Sequence, residues 1–333
     1  MIACTRWLRK SASLRPQPEP LQTATRRVAV TGATGFIGRV LCARLRADGY
    51  PVSALVRNPA SAADLAVSGV TLVPGDLDGG DALRTLLDNC DVVIHLAGAV
   101  RGNSQQSFDH TNVRGTQNLL EALSSRKELP DLLLISSLAA REPGLSWYAK
   151  SKYQAEQCLH DGPADLDWAI IRPPAVYGPG DKEMLPVFLS MARGIAPVPG
   201  DPAARVSLIH VEDLASAIVA CLELPRLQHR TFTLDDGTPG GYDWDEMAAI
   251  AGGVWQRKVR LVRLPGPLLN ALARANLVLS RALTYAPMLT PAKLRELRHP
   301  DWVVDNEEIT AATGWQPRVR LSKGLEELRD SRL

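Results

Sequence analysis

Short apolar runs alternate with longer amphipathic stretches through the first half of the chain. RVAV (27–30) precedes a glycine turn and an amphipathic helix ending near Tyr50, and PVSALV (51–56) follows as a second strand. VTLVPGDL (70–77) reads as a strand, DALRTLLDN (81–89) as a helix and CDVVIHLAGAV (90–100) as a buried strand. HTNVRGTQNLLEALSSR (110–126) reads as one long helix, LLLISS (132–137) as a strand, WYAKSKYQAEQCLH (147–160) as a helix and DWAIIRPPAVYG (167–178) as a strand. Strands alternating with helices predict an α/β fold with a Rossmann-type, doubly wound parallel sheet, whose ligands sit at the carboxyl ends of the strands. The expected organisation is a nucleotide-binding core over 27–180 and a smaller C-terminal substrate-binding lobe over 181–333. Within the latter, 205–236 returns to the core. In the lobe, PGPLLNALARANLVLSRALTYAPMLT (265–290) reads as a helix with a narrow polar stripe of Asn270, Arg274 and Arg281. Its broad apolar face is expected to pack against the lobe, with peripheral membrane contact as the alternative.

Composition changes this picture little. The 333 residues are 45% hydrophobic and 22% charged, which suits a globular chain. A net charge of +2 gives no electrostatic case for nucleic acid. Five scattered cysteines, with no CxxC, argue for a reducing, cytoplasmic setting and against a disulfide framework or zinc site. The six histidines lack metal-ligand spacing, and no metal is expected. His95, in an apolar strand, reads as a core histidine, and His210, Glu212 and Asp213 as a helix start that Asp213 can cap. Residues 1–26 are rich in arginine and proline and lack an apolar signal core. They read as a basic, disordered tail, with a mitochondrial presequence as the alternative. No run is long and apolar enough for a membrane span.

The candidate chemistry begins at Gly32, Gly35 and Gly38, a GxxGxxG pattern between strand and helix. Such glycines turn the chain, let backbone approach a pyrophosphate and let the helix sit close to the strand. The helix N-terminus adds unpaired N–H groups for the phosphates. The helix at 147–160 carries Tyr148 and Lys152, four residues apart and so on one face, just after a strand end bearing Ser136 and Ser137.

These motifs resemble the extended or atypical branch of the short-chain dehydrogenase/reductase superfamily, also called the NAD-dependent epimerase/dehydratase family. The matching stretches are TGATGFIG (31–38), GDL (75–77), HLAG (95–98), NVRGTQNLLEA (112–122), ISS (135–137), YAKSK (148–152), IIRPPAVYGPGD (170–181), IHVEDLASAI (209–218) and TGWQP (313–317). The tail LRELRHPDWVVDNEEITAATGWQP resembles bacterial members near the complex I accessory-subunit branch. The resemblance implies that Tyr148 is the general acid, that Lys152 lowers its pKa and holds the nicotinamide ribose, and that Ser137 polarises the reacting oxygen. Ser136 is the neighbouring candidate for that last role. Asn112 matches the family's helix-four asparagine, with a helix-kink role as the alternative. The implied cofactor cradle comprises Gly32, Thr34, Gly35, Phe36, Ile37, Gly38, Asp76, Leu77, Ala97, Gly98, Lys152 and Pro173.

The second strand ends in Val56 and Arg57, where an NAD-selective site carries an acid on the ribose 2′-OH. An arginine fork suits a 2′-phosphate instead, so NADP is favoured over NAD, with Arg57 as its reader and Arg39 as a helper. The resemblance implies an oxidoreductase acting on a small-molecule ketone or alcohol, as monomer or homodimer. The short 137–148 loop and the apolar helix favour a hydrophobic substrate, and the resemblance of the tail to members near the complex I branch implies a keto lipid of the sphingoid or ceramide-precursor kind as one candidate. Sugar-nucleotide epimerisation or dehydration is the alternative enzyme reading, with Arg205 as the residue able to bind a phosphate. A non-catalytic nucleotide-binding protein is the alternative of another class.

Overall fold

The computed structural model describes residues 26–283 and 285–331. Residues 1–25, most of the expected tail, lie outside the described residues. Arg26, counted with that tail above, is instead tied down: its guanidinium donates to the carbonyls of Leu222 and Asp91, each at 3.1 Å, and pairs with Asp131.

Six strands run in chain order: β1 (Val28–Thr31), β2 (Val52–Val56), β3 (Thr71–Pro74), β4 (Val92–His95), β5 (Asp131–Ile135) and β6 (Trp168–Arg172). With Arg230–Thr233 they form one seven-stranded sheet. Its order is Arg230–Thr233, β6, β5, β4, β1, β2, β3, and every neighbouring pair is parallel. β1 pairs with β2 on one side and β4 on the other, so the order reverses at β1 and a crevice opens above it. The middle strands are buried on both faces, which explains their continuous apolar runs. One core, including Val30, Leu41, Ile94 and Ile218, lies under the helices Phe36–Ala47 and Val211–Leu222. The other, including Ala29, Leu83, Leu119 and Leu132, lies on the opposite face.

Three elements depart from the pattern read in the sequence. The 167–178 strand is two strands: β6 ends at Arg172, and Ala175–Tyr177 leaves the sheet to pair with Leu208–His210. Pro173 and Pro174 intervene, and a proline offers no N–H to continue a ladder. The helix expected at 110–126 starts earlier, at Gln105, and passes through a π turn over His110–Arg114 before continuing as Gly115–Ser124. The helix expected at 265–290 is Gly266–Ala282, ending ahead of Pro287.

Candidate active site

The glycine loop has the geometry of a cradle for a bound dinucleotide. Gly32 has φ +76°, and a Cβ there would lie 2.6 Å from Ala97 N. A Cβ on Gly38 would lie 2.2 Å from Gly32 O, so no side chain fits where helix and loop touch. Thr34 and Gly35 are exposed, while Phe36 and Ile37 are half-buried. The helix Phe36–Ala47 has no side-chain cap and no acid in its first turn, which leaves its leading N–H groups open to an anion. Across the crevice, Ala97 N–H donates to Thr31 Oγ1 at 3.2 Å. Asp76 Oδ1 accepts from the N–H groups of Asp78 and Gly79, and Leu77 fills the space facing Gly115. Pro173 is buried, its carbonyl accepting from Leu138 N–H at 2.9 Å. These features fit a nicotinamide dinucleotide.

Arg57 and Arg39 differ. Arg57 is exposed at the end of β2. Arg39 is engaged: it pairs with Asp64 and donates to Thr34 O at 3.2 Å and Ser61 O at 2.9 Å. It braces the loop.

Next to the cradle stand the four residues expected to act on substrate. Ser146 caps the helix Trp147–His160, accepting from Ala149 N–H at 2.9 Å, and so fixes the turn that presents Tyr148. Ser136 and Ser137 lie just past β5, where extended backbone at Ser137 sends the two side chains to different partners. Ser136 is buried and donates to Glu156, which is also held by Arg172 Nε at 2.9 Å. Ser137 caps the short helix that follows it, its Oγ accepting from Ala139 N–H at 3.2 Å, and it lies close enough to the Tyr148 phenol to pull its pKa down. Asn112 lies in the π turn, where such turns often mark functional positions. Its Oδ1 accepts from Ala99 N–H at 2.7 Å, and its Nδ2 donates to Ala99 O at 3.1 Å and Ser151 Oγ at 2.8 Å. A Cβ on Gly98 would lie 3.3 Å from Asn112 Oδ1 and 3.7 Å from Lys152 Nζ, so the bare glycine leaves this corner open.

The electrostatics are less simple than the motif suggests. Lys152 is buried and donates to Ile135 O at 2.8 Å. Burial pushes its pKa down to about 8, against the pull of Glu156. Burial raises the Tyr148 phenol above its ordinary value, opposed by Ser137 and by Lys293, while Glu296 and Glu183 add to the rise. The leading cation acting on the phenol is therefore Lys293, on the helix Pro291–Leu297. Lys293 Nζ sits 5.7 Å from the centre of the Tyr148 ring and 2.6 Å from Glu296 Oε2. Burial lowers its pKa, but Glu296 and Tyr148 together leave it raised and the ammonium charged. Buried Glu296 also accepts from Ser146, which joins the lobe to the cap of the Tyr148 helix. Neither Lys293 nor Glu296 was singled out in the sequence.

The cleft above Tyr148 is lined by apolar Val100, Phe108, Trp147, Pro287 and Met288 and by polar or charged Arg101, Thr290, Lys293 and Glu296, with Arg101 paired to Glu183. Arg205 is not in its wall. It donates to Gly240 O at 2.5 Å and Gly241 O at 2.8 Å and pairs with Glu246 at 3.0 Å. His95 is the core histidine expected, held between Thr31 Oγ1 at 2.7 Å and Thr116 Oγ1 at 3.0 Å, and burial pushes its pKa down to about 3. Asp213 lies in the first turn of Val211–Leu222, but its carboxylate accepts from Arg318 and Val319 N–H rather than capping its own helix.

A reversing parallel sheet, a glycine cradle at the reversal and a Ser–Tyr–Lys set beside it define a nucleotide-dependent oxidoreductase fold and site. Comparison with known sequences agrees: the profile of the NAD dependent epimerase/dehydratase family matches residues 28–233. The chain belongs to that family and is an NAD(P)-dependent oxidoreductase of the short-chain dehydrogenase/reductase type. It is 40% identical over 278 residues to a ceramide reductase of Caulobacter vibrioides, covering 83% of this chain and 85% of that one. It is 28% identical over 241 residues to a 2-alkyl-3-oxoalkanoate reductase of Shewanella oneidensis, covering 63% and 62%. Among solved structures, a UDP-glucuronic acid 4-epimerase from Bacillus cereus, in complex with UDP-glucuronic acid and NAD, superposes with a TM-score of 0.72. Its identity is 21%, with 91% of this chain and 98% of that one covered, so the likeness is one of fold. Among the described residues, no helix is long and apolar enough to cross a membrane.

Proposed function

We propose that the protein reduces a ketone carried on a hydrophobic, alkyl-chain substrate, with NADP(H) as the favoured cofactor. The observation that carries this reading is Lys293 placed 5.7 Å from the Tyr148 ring centre, with Ser137 also acting on the phenol, beside a cleft that includes apolar Val100, Phe108, Trp147, Pro287 and Met288. Burial alone would make the phenol a weaker acid; Ser137 and Lys293 pull its pKa the other way, toward the range useful for a proton donor. Ser137 and Tyr148 hydrogen-bond one carbonyl oxygen, and the phenol passes its proton to that oxygen as it becomes an alkoxide. A reduced nicotinamide, when bound, supplies the hydride to the carbonyl carbon. Lys152 holds the ribose side of the cofactor, and Asn112 braces the Ala99 backbone and Ser151 beneath it. Arg57 reads the 2′-phosphate. The named relatives act on a ceramide and on 2-alkyl-3-oxoalkanoates, both alkyl-chain compounds, which supports the substrate class.

Sugar-nucleotide epimerisation is the second reading, favoured by the shared fold. A desolvated diphosphate needs cationic partners. Arg205, the residue held in reserve for that task, is committed to Gly240, Gly241 and Glu246. The test is a panel of keto lipids, shorter ketones and UDP-sugars assayed with NADPH and with NADH. Ketone-dependent NADPH oxidation is expected; conversion of a UDP-sugar without net cofactor consumption would refute the reading.

A further inference from the structure

The helix Gly266–Ala282 touches the body along one stripe, Leu269, Ala273 and Ser280. At about 100° per residue these three fall within about 40° of each other. Beside them, Leu268, Leu272, Leu279 and the cap residue Leu283 share an arc of about 60°, which Val278 and three alanines widen to about 140°. No charged residue interrupts that arc. The four leucines and Val278 are 51 to 68% exposed. The packing expected for this apolar face is therefore confined to one narrow stripe, and the leucines face water. A contiguous apolar surface of this kind marks an interaction site.

Charge identifies the partner. Between Glu246 and Glu296 the chain carries eight lysines and arginines and no acid, in a protein of net charge +2. Arg260, Arg263, Arg274 and Arg281 are exposed, and none has a carboxylate partner among the described residues. A second copy docking on this face about a two-fold axis would set one basic segment against another, which is repulsive. An apolar helix face within a basic segment fits an anionic lipid surface. The same segment then runs into the cleft, where Pro287 and Met288 form part of the wall beside Tyr148.

We propose that the helix Gly266–Ala282 lies on an anionic bilayer and that the Tyr148 cleft takes its substrate from that bilayer. The delivery step rests on the alkyl-ketone reading above; the docking does not. The test is flotation of the full-length protein with vesicles of phosphatidylglycerol mixed with phosphatidylcholine, and with phosphatidylcholine alone. The protein should float with the anionic vesicles, more weakly as salt rises, and little with the neutral ones. The double variant Leu272→Asp/Leu279→Asp should lose roughly tenfold or more of that partitioning while keeping its melting temperature and NADPH affinity. Arg274→Glu/Arg281→Glu should weaken binding to anionic vesicles alone. Absence of wild-type binding, or binding by the leucine double variant equal to wild type, overturns the proposal. A dimer that the leucine substitutions dissolve, without vesicle binding, overturns it in favour of self-association. Vesicle binding as expected, with no turnover of a short water-soluble ketone, would sink the ketone reading and leave the docking intact.

Discussion

The Tyr148 cleft has two walls of different character. The core side is built from strand ends and one capped helix, and the polar groups behind Tyr148 are held by backbone or buried partners: Lys152 on Ile135 O, Asn112 on Ala99, Ser136 on Glu156. The lobe wall is built from a chain segment that turns past Pro287 and from a short helix, and its charge is one ion pair, Lys293–Glu296, beside Thr290 and apolar Pro287, Met288 and Ala292. Rigid, fully partnered groups suit chemistry that demands fixed distances. A wall that sets one ion pair beside apolar groups suits recognition of a substrate body. The contrast assigns the reacting groups to the core and substrate recognition, together with a cation that tunes the phenol, to the lobe, and substitutions on the two sides should therefore differ in the size of their effect on kcat.

The largest effect should come from the core. Lys152→Met should cost about 10²–10³ in kcat/KM, because ribose anchoring and the local charge vanish together. The same substitution should raise stability at pH 7 by about 1–2 kcal/mol, since it removes a buried charge at the cost of one hydrogen bond. The folded-state pKa of Lys152 is depressed to about 8, below its unfolded value. The wild type therefore carries the full penalty below pH 8 and recovers stability as pH rises from there toward the unfolded pKa. Urea melts at pH 7 and pH 10 would test this: the advantage of Met should shrink at the higher pH, and a constant difference would contradict it.

Arg57→Ala comes next. Loss of a charge-assisted hydrogen bond to a 2′-phosphate should weaken NADPH by about 1.5–3 kcal/mol and leave NADH nearly unchanged. Equal losses in calorimetric titrations would show that Arg57 shapes the loop instead. The smallest effect should fall on the lobe wall. Lys293→Met should lower kcat by about three- to tenfold, because the phenol loses its leading cation, and should also shift KM and the ranking of ketones. A fall in kcat as large as that for Lys152→Met would erase the distinction between the walls.

Much of the core wall was legible because its physics is local. The Gly32–Gly38 spacing, the Tyr148–Lys152 register and the flanking strand and helix each lie within one short segment. Alternation in extended backbone distinguished Ser136 from Ser137 in principle, but which one met the site needed the three-dimensional arrangement just past β5. The break at Pro173 and Pro174 and the helix end before Pro287 carried readable signals that longer apolar patterns obscured. The π turn at Asn112 had no local signature. The lobe wall was not legible: Lys293 and Glu296 lie far along the chain from Tyr148, in a helix of unremarked composition, and only tertiary packing joins them to Ser146 and the phenol.

The central claim is that Tyr148 is the proton donor of a reductase. It is tested most directly by single-turnover hydride transfer from pre-bound NADPH to an alkyl ketone, in wild type and Tyr148→Phe, with cofactor affinity titrated in parallel. The account predicts that the variant slows transfer by about 10²–10⁴ while NADPH binds nearly as tightly as before. An undiminished transfer rate in the phenylalanine variant would contradict it.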